Sequence, residues 1–187
     1  MALTALDPTT ALIIVDLQKG IVGLPLIHPI DEVLHRNRLL ADAFRVRGLQ
    51  VVLVNVTGSA AGRTEVPRFN IDALPADFAE IVPELDQQPS DIAVTKRTWG
   101  AFASTDLGKQ LEALGVTQVV VTGVATGTGV ESTARQAYEQ GFNVTLAIDA
   151  MTDRSQEAHD YSVGKVFPRL GETGSTDDVI ALLQGRS

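Results

Sequence analysis

The amino-acid sequence predicts a doubly wound α/β domain, with a mostly parallel sheet covered by helices on both faces. Three observations carry that expectation. Four runs rich in β-branched residues, ALIIV (11–15), VVLVNV (51–56), QVVVTGV (118–124) and VTLAI (144–148), are continuously apolar, as strands buried on both faces must be. The stretches between them carry helical patterns, three of which end in a glycine. Strand and helix alternate, which calls for right-handed βαβ units rather than a sandwich or a bundle.

The elements follow in order along the 187 residues, a length suited to one domain spanning 1–187. After the first strand, DEVLHRNRLLADAFRVRG (31–48) predicts a helix closed by Gly48, leading into VVLVNV. An irregular passage from Thr57 to Ser90 holds Pro67, Pro75, Pro83 and Pro89, and a loop of that length in a compact domain is expected to be a lid or partner surface. DIAVT (91–95) is a weaker strand. STDLGKQLEALG (104–115) predicts a helix capped by Ser104 or Thr105 and closed by Gly115, and VESTARQAYEQG (130–141) one closed by Gly141. SQEAHDYSVGKVF (155–167) predicts a helix stopped at Pro168, and STDDVIALLQ (175–184) a last one capped by Ser175 or Thr176.

Composition narrows the function. With no cysteine, the chain has no disulfide framework, thiolate zinc site or cysteine nucleophile, which suits a cytoplasmic protein. A formal charge of −8 disfavours non-specific contact with nucleic-acid phosphates. The N-terminal stretch lacks a basic region before its short apolar run, so neither a targeting nor a membrane segment is expected.

In an open α/β sheet, ligands bind at the carboxyl ends of the strands. Three exits carry chemistry: Asp16 in VDLQKG, Lys96 in VTKRTWGAF, and the glycine corner TGVATGTGVES. A carboxylate emerging from a buried strand needs a partner, and a lysine at a neighbouring exit is the natural one. Taken alone, the pair reads equally well as a structural ion pair. The corner reads either as tight strand–helix packing or as a cradle of backbone N–H groups for an anion. The coincidence of all three at one edge favours a site. Trp99, just after the charged exit, is expected to line the pocket.

Other motifs are poor. Glycines at 123, 127 and 129 miss the dinucleotide fingerprint, and there is no Walker pattern. His28, His35 and His159 show no metal-ligand spacing and read as surface or turn residues, so no metal or cofactor is expected. Ser132 and Thr133 are expected to bond to carbonyls of their own helix.

VDLQKG, TKRTWGAF and TGVATGTGVESTARQAYEQGFNVTLAIDAMTD together resemble the isochorismatase-like hydrolases, also called the cysteine hydrolase superfamily, over roughly residues 8 to 180. The resemblance implies a six-stranded sheet and a homo-oligomer. It implies a catalytic set of Asp16, Lys96 and a cysteine whose place is taken here by Gly129, with a cis peptide at Val124–Ala125. Gln18, Trp99, Val124, Ala125 and Thr128, from the same motifs, are the expected substrate-binding residues. The histidine-rich metal site of nicotinamidases has no match in VNVTGSAAGR.

Without sulfur, thiolate attack on an amide or nitrile is lost. The isochorismatases of this family also resemble the chain in having glycine at that place, and their reaction needs no protein nucleophile. Protonating the methylene of an enolpyruvyl vinyl ether gives an oxocarbenium ion, water adds, and the hemiketal collapses to pyruvate and a dihydrodiol. Asp16 is then the proton donor, Lys96 holds a substrate carboxylate or orients water, and Arg63, Arg68 or Arg97 either meets a second carboxylate or is a solvated charge. GVESTARQAYEQG, however, looks like the cysteine-bearing branch. An idle small-molecule-binding protein, or an amidase that has lost its cysteine, therefore stand as alternatives.

Overall fold

A computed structural model describes residues 3–66 and 73–185. Its strands are β1 (Thr10–Val15), β2 (Val51–Val56), β3 (Ile92–Lys96), β4 (Gln118–Val124), β5 (Asn143–Thr152) and β6 (Glu172–Gly174). They form one parallel sheet in the order β3-β2-β1-β4-β5-β6. That order reverses between β1 and β4. Chain crossovers leave in opposite directions there, opening a crevice at the strand exits, and Asp16 and the glycine corner lie on its two sides.

Helices α1 (Lys19–Val22), α2 (Ile30–Val46), α3 (Leu107–Ala113), α4 (Glu131–Glu139), α5 (Gln156–Tyr161), α6 (Phe167–Leu170) and α7 (Thr176–Gln184) complete the chain, with π-helical turns at Thr126–Val130 and Ser162–Val166. On one face of the sheet, Leu12, Ile14 and Leu53 pack with Phe44 of α2 and Leu183 of α7. On the other, Ile13, Val52 and Val121 pack with Leu111 of α3, Ala134 of α4 and Phe167 of α6. The strands are buried from both sides, hence their continuous apolar runs.

Several expectations shift in detail. Gly48, Gly115 and Gly141 take the left-handed conformation at φ 66°, 71° and 88°, and Ser175 closes a capping box with Asp178. Helix α3 begins at Leu107 rather than 104. Thr105 donates to the Ala101 carbonyl and accepts from Leu107 N, so it braces the preceding turn, and Asp106 occupies the cap position. The helix from 155 does not stop at Pro168. It runs through the π-helical turn into α6, whose first turn takes the proline because no N–H is needed there. The fourth long strand extends to Asn143–Thr152, with a register shift against β4 between Val121 and Gly123. Strand β6 and helix α1 are too short for a periodic signal. Pro67 and Arg68 lie outside the described residues.

Candidate active site

Strand β1 ends at Val15, and Asp16 turns out of the sheet with φ 53°. A left-handed conformation costs a non-glycine residue about 1–2 kcal/mol, least for Asp and Asn. It is held by a bond from Asp16 N to the Val54 carbonyl at 2.9 Å. Opposite, Gly123 at φ 110° brings β4 so close that a Cβ there would lie 2.1 Å from the Val15 carbonyl oxygen. Only glycine fits, and its fit sets the corner beside Asp16.

Lys96, at the end of β3, is 1% exposed, and its Nζ donates to Asp16 Oδ2 at 2.7 Å and to the Thr98 carbonyl at 3.3 Å. Two of three ammonium hydrogens are engaged. Asp16 is 7% exposed, and its Oδ1 is buried without a hydrogen-bond partner. Burial raises the carboxyl pKa from 3.8 to about 6, although the charge and hydrogen bond of Lys96 pull it down. Desolvation wins. At pH 7 about one Asp16 in ten then carries a proton, and Oδ1 is the oxygen free to hold it.

Asp16 and Lys96 face Gly129 across a cavity of about 150 Å³, whose wall includes Thr128, Phe78 and Trp99. A Cβ built on Gly129 would lie 3.1 Å from Val15 Cγ1 and 3.2 Å from both Asp16 Oδ2 and the Val124 oxygen. The surroundings are packed for glycine. The Val124–Ala125 peptide is cis. Among the described residues no serine or threonine hydroxyl bonds to Asp16 or Lys96, and no group of three or more His, Cys, Asp or Glu is placed to hold a metal.

The other expected residues divide. Thr128 and Trp99 line the cavity, Trp99 at 64% exposure. Val124 and Ala125 do not: Val124 is buried in the core with Ala125 packed against it. Gln18 does not line it either. Its amide is fully buried, donating to the Val56 and Phe78 carbonyls and accepting from Val56 N. It ties β2 to the loop that carries Phe78. The N–H cradle is also largely taken, since Gly127 N donates to Asp153 Oδ2 and Thr128 and Val130 N both donate to the Ala125 carbonyl. Thr133 donates to the Gly129 carbonyl, as expected for a hydroxyl in its own helix. Of the arginines, Arg97 is exposed with its stem on Gly58 at the cavity edge, Arg63 is exposed in the loop, and Arg68 is outside the described residues.

Sequence reasoning missed His159. It is buried rather than a surface residue, with Nδ1 2.8 Å from Thr126 Oγ1 and its ring edge-on to His28 at 4.9 Å. Positions 33 residues apart along the chain carry no signal of such a contact.

The isochorismatase domain family matches residues 10–178. The uncharacterized isochorismatase family protein YwoC of Bacillus subtilis (strain 168) is 40% identical over 180 residues, covering 91% of this chain and 92% of its own. Phenazine biosynthesis protein PhzD1 of Pseudomonas aeruginosa is 30% identical over 192 residues, covering 96% of this chain and 89% of its own. A solved isochorismatase family protein from Burkholderia thailandensis superposes with a TM-score of 0.91 at 40% identity, over 96% of this chain and 98% of its own.

Proposed function

The chain belongs to the isochorismatase family, and we propose that it hydrolyses the vinyl ether of a small acid such as isochorismate, with water as the nucleophile. The observation that carries this reading is Asp16: a buried carboxyl with a pKa near 6 and a partnerless oxygen, facing a position with no side chain. A general acid works best with a pKa close to the working pH.

In the reaction, protonated Asp16 gives its hydrogen to the terminal methylene carbon of the enolpyruvyl group. The ether-bearing carbon becomes an oxocarbenium ion. Water adds to that carbon and returns a proton to the Asp16 carboxylate, and the hemiketal passes its hydroxyl hydrogen to the ether oxygen as the bond between that carbon and the ether oxygen breaks, releasing pyruvate and a dihydrodiol. The cation that develops is stabilised by the Asp16 carboxylate left behind, itself almost wholly buried. Lys96 keeps Asp16 in place and has one hydrogen left for the water or a substrate carboxylate.

The tight packing around Gly129 weighs against the reading of an amidase that has lost its cysteine. A Cβ there requires Val15, Asp16 or the Val124 carbonyl to give way by a few tenths of an ångström. The proposal includes a cytoplasmic homo-oligomer without a cofactor, checked by mass measurement in solution and metal analysis. Incubating the protein with isochorismate and measuring pyruvate tests the reaction. No pyruvate above a heat-denatured control would leave it without support.

A further inference from the structure

We propose that His159 is a positioning residue for the candidate active site, holding through Thr126 the π-helical turn that presents Gly129 to the cavity. The proposal rests on the reaction being placed at that corner. Thr126 Oγ1 donates to the Thr152 carbonyl at 3.1 Å, so its oxygen must receive a hydrogen from His159 Nδ1 at 2.8 Å. That fixes the neutral tautomer, with the proton on Nδ1. The bond ties the first residue of the Thr126–Val130 turn to α5 and holds the Thr126 hydroxyl in the orientation that donates to the end of β5.

The rest of the corner repeats the pattern. Asp153, next along β5, accepts from Gly127 N, and Ser162 donates to Glu131 at the start of α4. Gly127 has Ala158 and Ser162 close beside it, where a Cβ would lie 3.1 and 3.5 Å away. The segment from α5 into its π-helical turn thus forms a back plate for the corner, with His159 as a titratable contact with Thr126.

Acid opposes this arrangement. His159 meets His28 from the segment before α2, Asp153 from the end of β5, and Asp160 on its own helix; Glu32, Arg36 and Asp149 surround His28 on its far side. Burial and the neighbouring His28 hold the His159 pKa below its ordinary value, against the smaller opposing pull of Asp160 and Asp153. A proton on His159 Nε2 puts a cation 4.9 Å from the His28 ring. Nδ1–H still donates to Thr126 in the cation, so acid acts through the packing of the buried ring beside His28: the neutral ring's contribution is complete above the ordinary histidine pKa and is lost as pH falls through the lowered one.

Two substitutions and an activity-independent readout test this. Amide exchange of Thr128 and Val130, both bonded to the Ala125 carbonyl, reports opening of the turn. His159→Leu, which removes the donor, should speed that exchange about tenfold at neutral pH relative to intrinsic rates. His159→Asn keeps a donor at the Nδ1 position but cannot titrate, so it should match the unaltered protein at neutral pH and lose the acceleration in acid. Under turnover, kcat should fall in the leucine variant and recover in the asparagine variant, whose acid limb disappears. If His159→Leu exchanges like the unaltered protein, or His159→Asn keeps the acid acceleration, the role is wrong. Should the leucine variant not fold, loss or persistence of the acid effect in His159→Asn decides alone. Expected exchange behaviour without any pyruvate would uphold the clamp and remove the assigned reaction.

Discussion

Replacing Asp16 by asparagine separates the proton donor from everything else in the site. The amide is isosteric, and its oxygen still accepts from Lys96 Nζ, which is 2.7 Å from Oδ2. The fold should therefore survive, but the side chain can no longer deliver a proton. General acid catalysis contributes about a hundred- to ten-thousand-fold, so kcat for pyruvate release should fall by that factor. This corresponds to roughly 3–5 kcal/mol of barrier. The pH profile supplies a second magnitude. With a pKa of about 6, the protonated fraction rises from about one-tenth at pH 7 to one-half at pH 6, so the rate should increase about fivefold. Below pH 5 it should level off, because Asp16 is then almost wholly protonated. The profile is cleanest in a His159→Asn background, which removes the histidine's own titration. Pyruvate release is followed through reduction of pyruvate by a coupling dehydrogenase at each pH. An Asp16→Asn variant with unchanged kcat, or a rate that rises between pH 6 and 8, refutes the proton-donor assignment.

Three further outcomes are expected. Lys96→Met removes the cation that lowers the Asp16 pKa, so the descending limb of the pH–rate profile should move above pH 6; a limb that moves down contradicts the electrostatic account. Gly129→Cys should lower the melting temperature, since overpacking costs about 1–3 kcal/mol, and should give a thiol that iodoacetamide labels readily beside Lys96. The same variant should release pyruvate more slowly and gain no amide hydrolysis; robust amidase activity would show that glycine replaced a nucleophile. Gln18→Leu strands Val56 N and takes the side-chain donor from the Val56 carbonyl, at about 1–3 kcal/mol for a buried unpaired group, and loosens two cavity walls, while the Phe78 carbonyl keeps its bond from Gly20 N. KM should rise more than kcat falls, and an unchanged KM would remove the bracing role.

How much of this was legible in the chain follows from what each residue answers to. ALIIV and QVVVTGV read as strands because burial on both faces demands apolar residues at every position, a local requirement. Asp16 and Lys96 were legible for the same reason, since a charge at the end of such a run needs a partner. The balance that sets the Asp16 pKa was not, because it compares burial with a lysine 80 residues away. Gln18 sits in a motif that suggests a ligand, yet its amide is consumed by backbone from β2 and from the loop before β3. The glycine corner suggested free N–H groups, and three of them turned out to be paired, one with the side chain of Asp153 just after β5. His159 gave no hint at all. Its partner Thr126 and its neighbour His28 come from two other elements, and only the fold brings them together.

Hydrolysis of isochorismate in heavy water tests the central claim most directly, because it asks where the proton goes. If the reaction begins with protonation of the methylene carbon from a solvent-exchanged Asp16, pyruvate trapped at once as lactate carries one deuterium in its methyl group, and Asp16→Asn forms it at least about a hundredfold more slowly. No pyruvate, pyruvate without methyl deuterium, or equal rates in the two proteins would contradict a water-nucleophile hydrolase with Asp16 as its acid.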